Sequence, residues 1–236
     1  MTSPAKAARI DELMQKAEEA LKAARWFEAE RLAQRAFELG HQAGDFGRMA
    51  RILLPLQESR RQRMQLAAEA TTLKWVEGEI SEDHRVTAGM HMLQPPHVGA
   101  DARRIRLAAI RRETPVLVLC REPTTRLGLI PIVAIGLVTV RARIEPSEKP
   151  AKPTRKWFLW ALEELGNAAI GMVDTGMDAV RQVDYAVALL DAVPEHEALH
   201  STLRECCLRA EEEMRESASA DAAKQSAAAL REKAQG

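Results

Sequence analysis

Residues 115–144, PVLVLCREPTTRLGLIPIVAIGLVTVRARI, decide the fold class. Pro115 opens an apolar run to Cys120, short and aliphatic, which is the mark of a strand buried on both faces. Residues 129–135 and 137–144 read as two further strands split at Gly136. Their β-branched side chains (Ile130, Ile132, Val133, Ile135, Val138, Val140) suit a pleated, packed surface. The longest apolar stretch, residues 127–140, is shorter than the roughly 20 residues a membrane helix needs, and Gly128, Pro131 and Gly136 interrupt it. No membrane partner is predicted.

Upstream, residues 86–93 form a predicted strand and residues 94–100 a loop containing Pro95-Pro96. Asp101 then caps a predicted helix to about Arg112. Two parallel strands joined through a helix require a right-handed crossover. The centre of the chain is thus a small α/β module: a βαβ unit followed by a hairpin.

Both flanks read as helix. Ser3-Pro4 is a helix start, a hydroxyl cap followed by proline where its missing N–H is not needed. Ile10, Leu13, Met14, Ala17, Ala20 and Leu21 then recur on one helical face. A second helix carries Ala29, Leu32, Ala33, Ala36 and Phe37, with Gly40 expected as its left-handed terminator. Asp45 caps a third, which Pro55 is expected to kink or break before it resumes over residues 60–73. Residues 145–156, EPSEKPAKPTRK, are a semi-rigid linker. Helices return over residues 157–172, 177–192 and from Pro194 to 214. Residues 215–236 lack large apolar side chains and are expected as a frayed helix or a disordered tail. The predicted fold is α+β, predominantly α. It divides into a helical segment (1–74), the α/β module (75–145), the linker (146–156), a C-terminal helical segment (157–214) and a low-complexity tail (215–236).

Composition narrows the function. The 236 residues hold 34 Lys+Arg and 34 Asp+Glu, so the surface as a whole is no electrostatic footprint for nucleic acid. The 3 cysteines make neither a disulfide framework nor a zinc ribbon. The opening residues, MTSPAKAARIDEL, show no apolar signal core, and the expected location is the cytoplasm. Arg60, Arg61 and Arg63, and then Arg103, Arg104, Arg106, Arg111 and Arg112, are local basic clusters expected on solvated helix faces rather than against nucleic acid. Trp157 and Trp160, three apart on a helix, are expected to pack rather than to stack on bases.

The segment Ala17-x-x-Ala20, Arg25-Trp26-Phe27-Glu28-Ala29, Ala33, Ala36, Leu39 resembles the tetratricopeptide-repeat family. In such repeats small residues let antiparallel helices approach and aromatics fill the gap between repeats. Leu165-Gly166-Asn167-Ala168 after Trp160 resembles the same family's first-helix signature. The pattern departs at Ala17 and Ala20, which replace a glycine and a tyrosine, and no proline closes the first repeat. The resemblance implies a non-catalytic interaction or scaffold protein. It would take a protein or peptide partner on its helical face, with Trp26, Phe27 and Phe37 as the partner-binding side chains. It implies no catalysis, and no cofactor is expected.

Two other chemistries are written in the sequence. His196-Glu197-Ala198-Leu199-His200 matches the HExxH pattern, in which histidines four apart hold Zn²⁺ and the glutamate activates water; Cys207 falls on the same face as a third ligand. A zinc-dependent hydrolase is therefore one alternative, although Pro194 puts the motif in a first helical turn. The stripe His196, His200, Leu203, Cys207 is equally the spacing of an ordinary packing face. The other alternative is a small-anion sensor. Its ligand would sit at the carboxyl ends of the parallel strands, where Gln94, His97, Cys120, Arg121, Thr124, Thr125 and Arg126 are expected to converge.

Overall fold

The computed structural model describes residues 3–69, 73–78, 86–150 and 152–233. Among them the chain is α+β and mainly α. Helices α1 (Pro4–Lys22), α2 (Trp26–Ala43) and α3 (Phe46–Glu69) lead into strand β1 (Leu73–Val76). Strand β2 (Gly89–Leu93), helix α4 (Gly99–Arg111) and strand β3 (Val116–Arg121) follow, then strands β4 (Ile130–Ile135) and β5 (Thr139–Ile144). Helices α5 (Arg155–Ile170), α6 (Ala179–Ala192) and α7 (Glu197–Lys233) close the chain. None of the described helices is long and apolar enough to cross a membrane.

The strands lie in sequence order in one sheet. β1, β2 and β3 are parallel, with Leu93 level with Cys120, and β3, β4 and β5 are antiparallel. The predicted crossover and hairpin are both present. β1 is an addition: its four half-buried residues carry too little pattern to announce a strand in the sequence.

Strand alternation gives the sheet two unlike faces. Met90, Met92, Leu117, Leu119, Ile130, Ile132, Val140, Ala142 and Ile144 point to one side. There they join a single core with residues of α1, α2, α3, α5, α6 and α7. Leu93, Val116, Cys120 and Val133 point to the other side, under Ala102, Ile105 and Ala109 of α4. α3 lies on β2 and β3, α5 on β4 and β5, and α7 packs against α3, α5 and α6. α3 and α7 run antiparallel, since Gly47 meets Glu211 at one end while Arg60 meets His200 further along.

Several local expectations need correction. α2 does not stop at Gly40; it continues to Ala43, and Gly44 at φ 61° is the left-handed cap. Gly40 serves packing instead, because an added Cβ would lie 3.1 Å from Met49 Cγ. α3 runs through Pro55 as one element, held by burial of Ile52, Leu53, Pro55 and Leu56 in the core. It ends at Glu69; of the helix expected to residue 73, residues 70–72 lie outside the described residues. Of the tail, residues 215–233 extend α7, and those from Glu211 to Ala223 are exposed; residues 234–236 lie outside the described residues.

Candidate ligand-binding cleft

A cleft of about 840 Å³ opens where the N-terminal helices, the α/β module and the C-terminal helices meet. α2 presents Phe27, Glu30, Arg31 and Gln34 to it, at the i, i+3, i+4, i+7 spacing of one helical face. α4 adds Arg106, Leu107, Ile110 and Arg111, α6 adds Val187, Leu190 and Asp191, and Leu137 reaches in from the β4–β5 turn. That turn comes close because residue 136 is glycine: a Cβ there would lie 2.5 Å from the backbone nitrogen of Ala192.

The floor is ionic. Glu30 accepts from Arg60 Nε at 3.0 Å and from Arg63 Nε at 2.8 Å. Arg60 also donates to Gln34 Oε1 at 3.0 Å and lies 3.2 Å from His200 Nε2. Arg63 is 0% exposed, sits 5.8 Å from the Phe27 ring centroid and leaves Nη1 without a partner. Arg106, 11% exposed, gives Nη1 to the Ala192 carbonyl at 3.0 Å and Nη2 to the Asp191 carbonyl at 3.1 Å, while its Nε is unpartnered. Glu195 lies between two of these cations, 3.7 Å from Arg63 and 3.6 Å from Arg106. Beside them Arg103 grips Asp191 through two nitrogens at 2.7 and 3.1 Å, and Asp191 also accepts from the Leu137 amide at 2.9 Å.

This packing sets the protonation states. Burial alone would raise the Glu30 carboxyl, but Arg63 and Arg60 more than offset it and hold it below the usual carboxylate range. Burial, and then the Arg60 charge, pushes His200 down to about 3, so the ring is neutral and accepts from Arg60. Burial lowers Arg106, with Glu195 opposing. A guanidinium nevertheless stays charged in proteins.

The residues singled out in the sequence fall unevenly around this cleft. Phe27 and Phe37 line it, although Phe37 is only 3% exposed; Trp26 is half-buried at the start of α2. The expected sensor residues sit at the other end of the crossover, outside this cleft. His97 and Cys120 lie together under the α4 face, with Cys120 Sγ 3.8 Å from the His97 carbonyl, and burial pushes that thiol up to about 12. Arg121 alternates to the opposite face of the sheet. Thr125 closes the β3–β4 turn by accepting from the Leu129 amide, and Thr124 and Arg126 are exposed.

The two histidines of the HExxH motif make structural contacts, and Glu197 is exposed. α7 starts at Glu197, so His196 is its N-cap, accepting from the Leu199 amide at 3.3 Å. The His196 ring lies against Gly166 of α5, where any Cβ would overlap it. His200 engages both nitrogens, Nδ1 with the His196 carbonyl at 2.9 Å and Nε2 with Arg60. Cys207 is buried, its thiol raised to about 12 by burial and then by Cys206. Among the described residues, no group of three or more His, Cys, Asp or Glu side chains is placed to hold a metal ion.

The basic clusters expected to be solvated are split. Arg60, Arg63 and Arg106 are buried or nearly so, Arg61 and Arg103 are half-buried, Arg104 and Arg112 are exposed, and Arg111 borders the cleft. The signal that betrayed Glu30 was present: it stands three residues before Ala33 and seven before Phe37, on the buried stripe itself. No family model matches the chain, and neither a curated protein nor a solved structure is similar to it.

Proposed function

We propose that this protein is a non-catalytic binding protein that seats a small organic molecule in the α2–α4–α6 cleft. One observation carries the reading: a cavity of about 840 Å³ with aliphatic side chains from α4 and α6 on its walls is floored by hydrogen-bonded buried ions. Binding sites for small molecules combine those features, and their volumes run from about 300 to 1,000 Å³. Burying ions is expensive to stability, so such a floor is better suited to recognition than to holding helices together.

The test is a fluorescence titration with 8-anilinonaphthalene-1-sulfonate, an amphiphile of suitable size. Saturation at one site per chain is expected, and its loss in Leu107→Trp, which fills the cleft from α4. Non-saturating fluorescence, or saturation unchanged in that variant, overturns the reading.

A peptide partner is a second reading, favoured by the fact that Phe27 and Phe37, both implied by the repeat resemblance, line this same cleft. It predicts that a captured peptide is displaced competitively by the fluorescent amphiphile.

A further inference from the structure

The charge count at the floor of the cleft does not balance. Arg60, Arg63 and Arg106 are held in a space that supplies only Glu30 and Glu195, while His200 is neutral. Glu30 takes short hydrogen bonds from two of the cations. Glu195 serves the third only at 3.6 Å and is shared with Arg63 at 3.7 Å, neither a hydrogen-bond distance. Arg106 compensates with neutral carbonyls for its two terminal nitrogens and leaves Nε unused. Arg103 adds nothing to the imbalance, being neutralised by Asp191.

A buried cation whose counter-charge is distant and shared is costly, and an arriving anion lowers that cost. Arginine stays charged under all ordinary conditions, so Arg106 attracts an anionic head by charge even with both terminal nitrogens held by carbonyls.

Resting on the cleft reading above, we infer that the ligand is a singly charged organic anion, a carboxylate or sulfonate on an apolar body. Its head supplies the counter-charge for Arg106 and its body lies along Leu107, Ile110, Val187 and Leu190. The match is chemical on both sides: one missing negative charge at the floor, and aliphatic walls from α4 and α6 above it.

A matched pair of probes separates this inference from the reading it rests on. 1-Pyrenebutyrate and 1-pyrenebutanol share a body and differ in the charged head. Each is titrated into the full chain, followed by displacement of 8-anilinonaphthalene-1-sulfonate. The butyrate is expected to bind at least about tenfold more tightly than the alcohol. In Arg106→Met, checked for fold by circular dichroism, the butyrate falls to the affinity of the alcohol and the alcohol is unchanged. Arg106→Lys keeps the charge and retains the preference.

Equal affinities for the two probes overturn the anion inference and leave the cleft reading standing. A preference that persists undiminished in Arg106→Met overturns the assignment to Arg106. Failure of both probes and of the reporter to bind overturns both readings. If Arg106→Met does not fold, the wild-type pair decides the anion inference, and Arg106→Gln, which keeps a donor for the neighbouring carbonyls but not the charge, decides the assignment: a preference undiminished there overturns it.

Discussion

Replacing Glu30 by glutamine keeps the size and the acceptor oxygen of the side chain but removes the charge that Arg60 and Arg63 share. Its oxygens lie 3.0 and 2.8 Å from their Nε atoms, which puts the charge centres about 4 Å apart; at an effective dielectric of about 20 each pair is worth about 4 kcal/mol. Against that loss stands the several kcal/mol no longer needed to bury a carboxylate. The remainder, about 3–5 kcal/mol, is the known scale for stranding a buried partner. A domain of this length loses roughly 2–4 °C of Tm per kcal/mol, so the variant should melt about 6–20 °C below wild type. Urea unfolding followed by circular dichroism gives the free energy. The Glu30→Gln, Arg63→Met pair, measured as a double-mutant cycle, should couple by about 2 kcal/mol or more. A Glu30→Gln cost under about 1 kcal/mol, with additive behaviour in the cycle, would show that the floor ions do not depend on one another.

Four further outcomes are expected. His200 has a folded-state pKa depressed to about 3 from an ordinary 6.5, so below pH 6.5 the unfolded chain takes up a proton that the folded chain refuses. Stability therefore drops as the pH is lowered below 6.5, by about 1.4 kcal/mol per unit, and urea unfolding of His200→Gln from pH 7 to pH 4 should show a slope smaller by one proton. Gly136→Ala places a methyl 2.5 Å from the Ala192 backbone nitrogen, an overpacking expected to cost about 3 kcal/mol in chemical denaturation. Gly166→Ala pushes the His196 ring off α5 and should cost about the same, because the α7 cap moves with it. Cys120 and Cys207, buried with thiols near 12, should resist iodoacetamide at pH 8 until guanidinium unfolds the chain; mass spectrometry of the native adduct reads this directly.

The architecture was legible because its signals are local and repeated. Residues 116–120 are continuously apolar and lie in a strand covered on both faces, and the predicted crossover through residues 101–112 joins parallel strands. The misreadings share one physical cause, tertiary packing overriding a local rule. Pro55 sits inside α3 because its neighbours are core residues. Gly40 sits inside α2 because Met49 needs the room, and the stop signal belongs to Gly44. The cleft was illegible for a related reason. Arg60 and Arg63 look like any basic run until Glu30, about thirty residues earlier, is brought across from α2. Arg106 gains its role only when the chain end of α6 reaches α4. Spacing within a helix shows which residues share a face, but not which foreign helix meets that face.

The same geometry ties ligand to fold. The cleft walls come from α2, α4 and α6, and its floor from α3 and the α6–α7 connection, so no single segment contains the site. Phe37 and Leu190 of those walls also belong to the core shared by both helical flanks and one face of the sheet. A molecule held by these walls binds the assembled chain and not its separate parts, and its binding energy is added to the stability of the whole as RT ln(1 + [L]/Kd). At one hundred times Kd that amounts to about 2.7 kcal/mol, close to the expected cost of Glu30→Gln. The two are not interchangeable, since the variant adds a further uncompensated positive charge at the floor. A singly charged anion should therefore stabilise Glu30→Gln against urea by more than it stabilises wild type, whereas a neutral analogue of the same body should stabilise both equally.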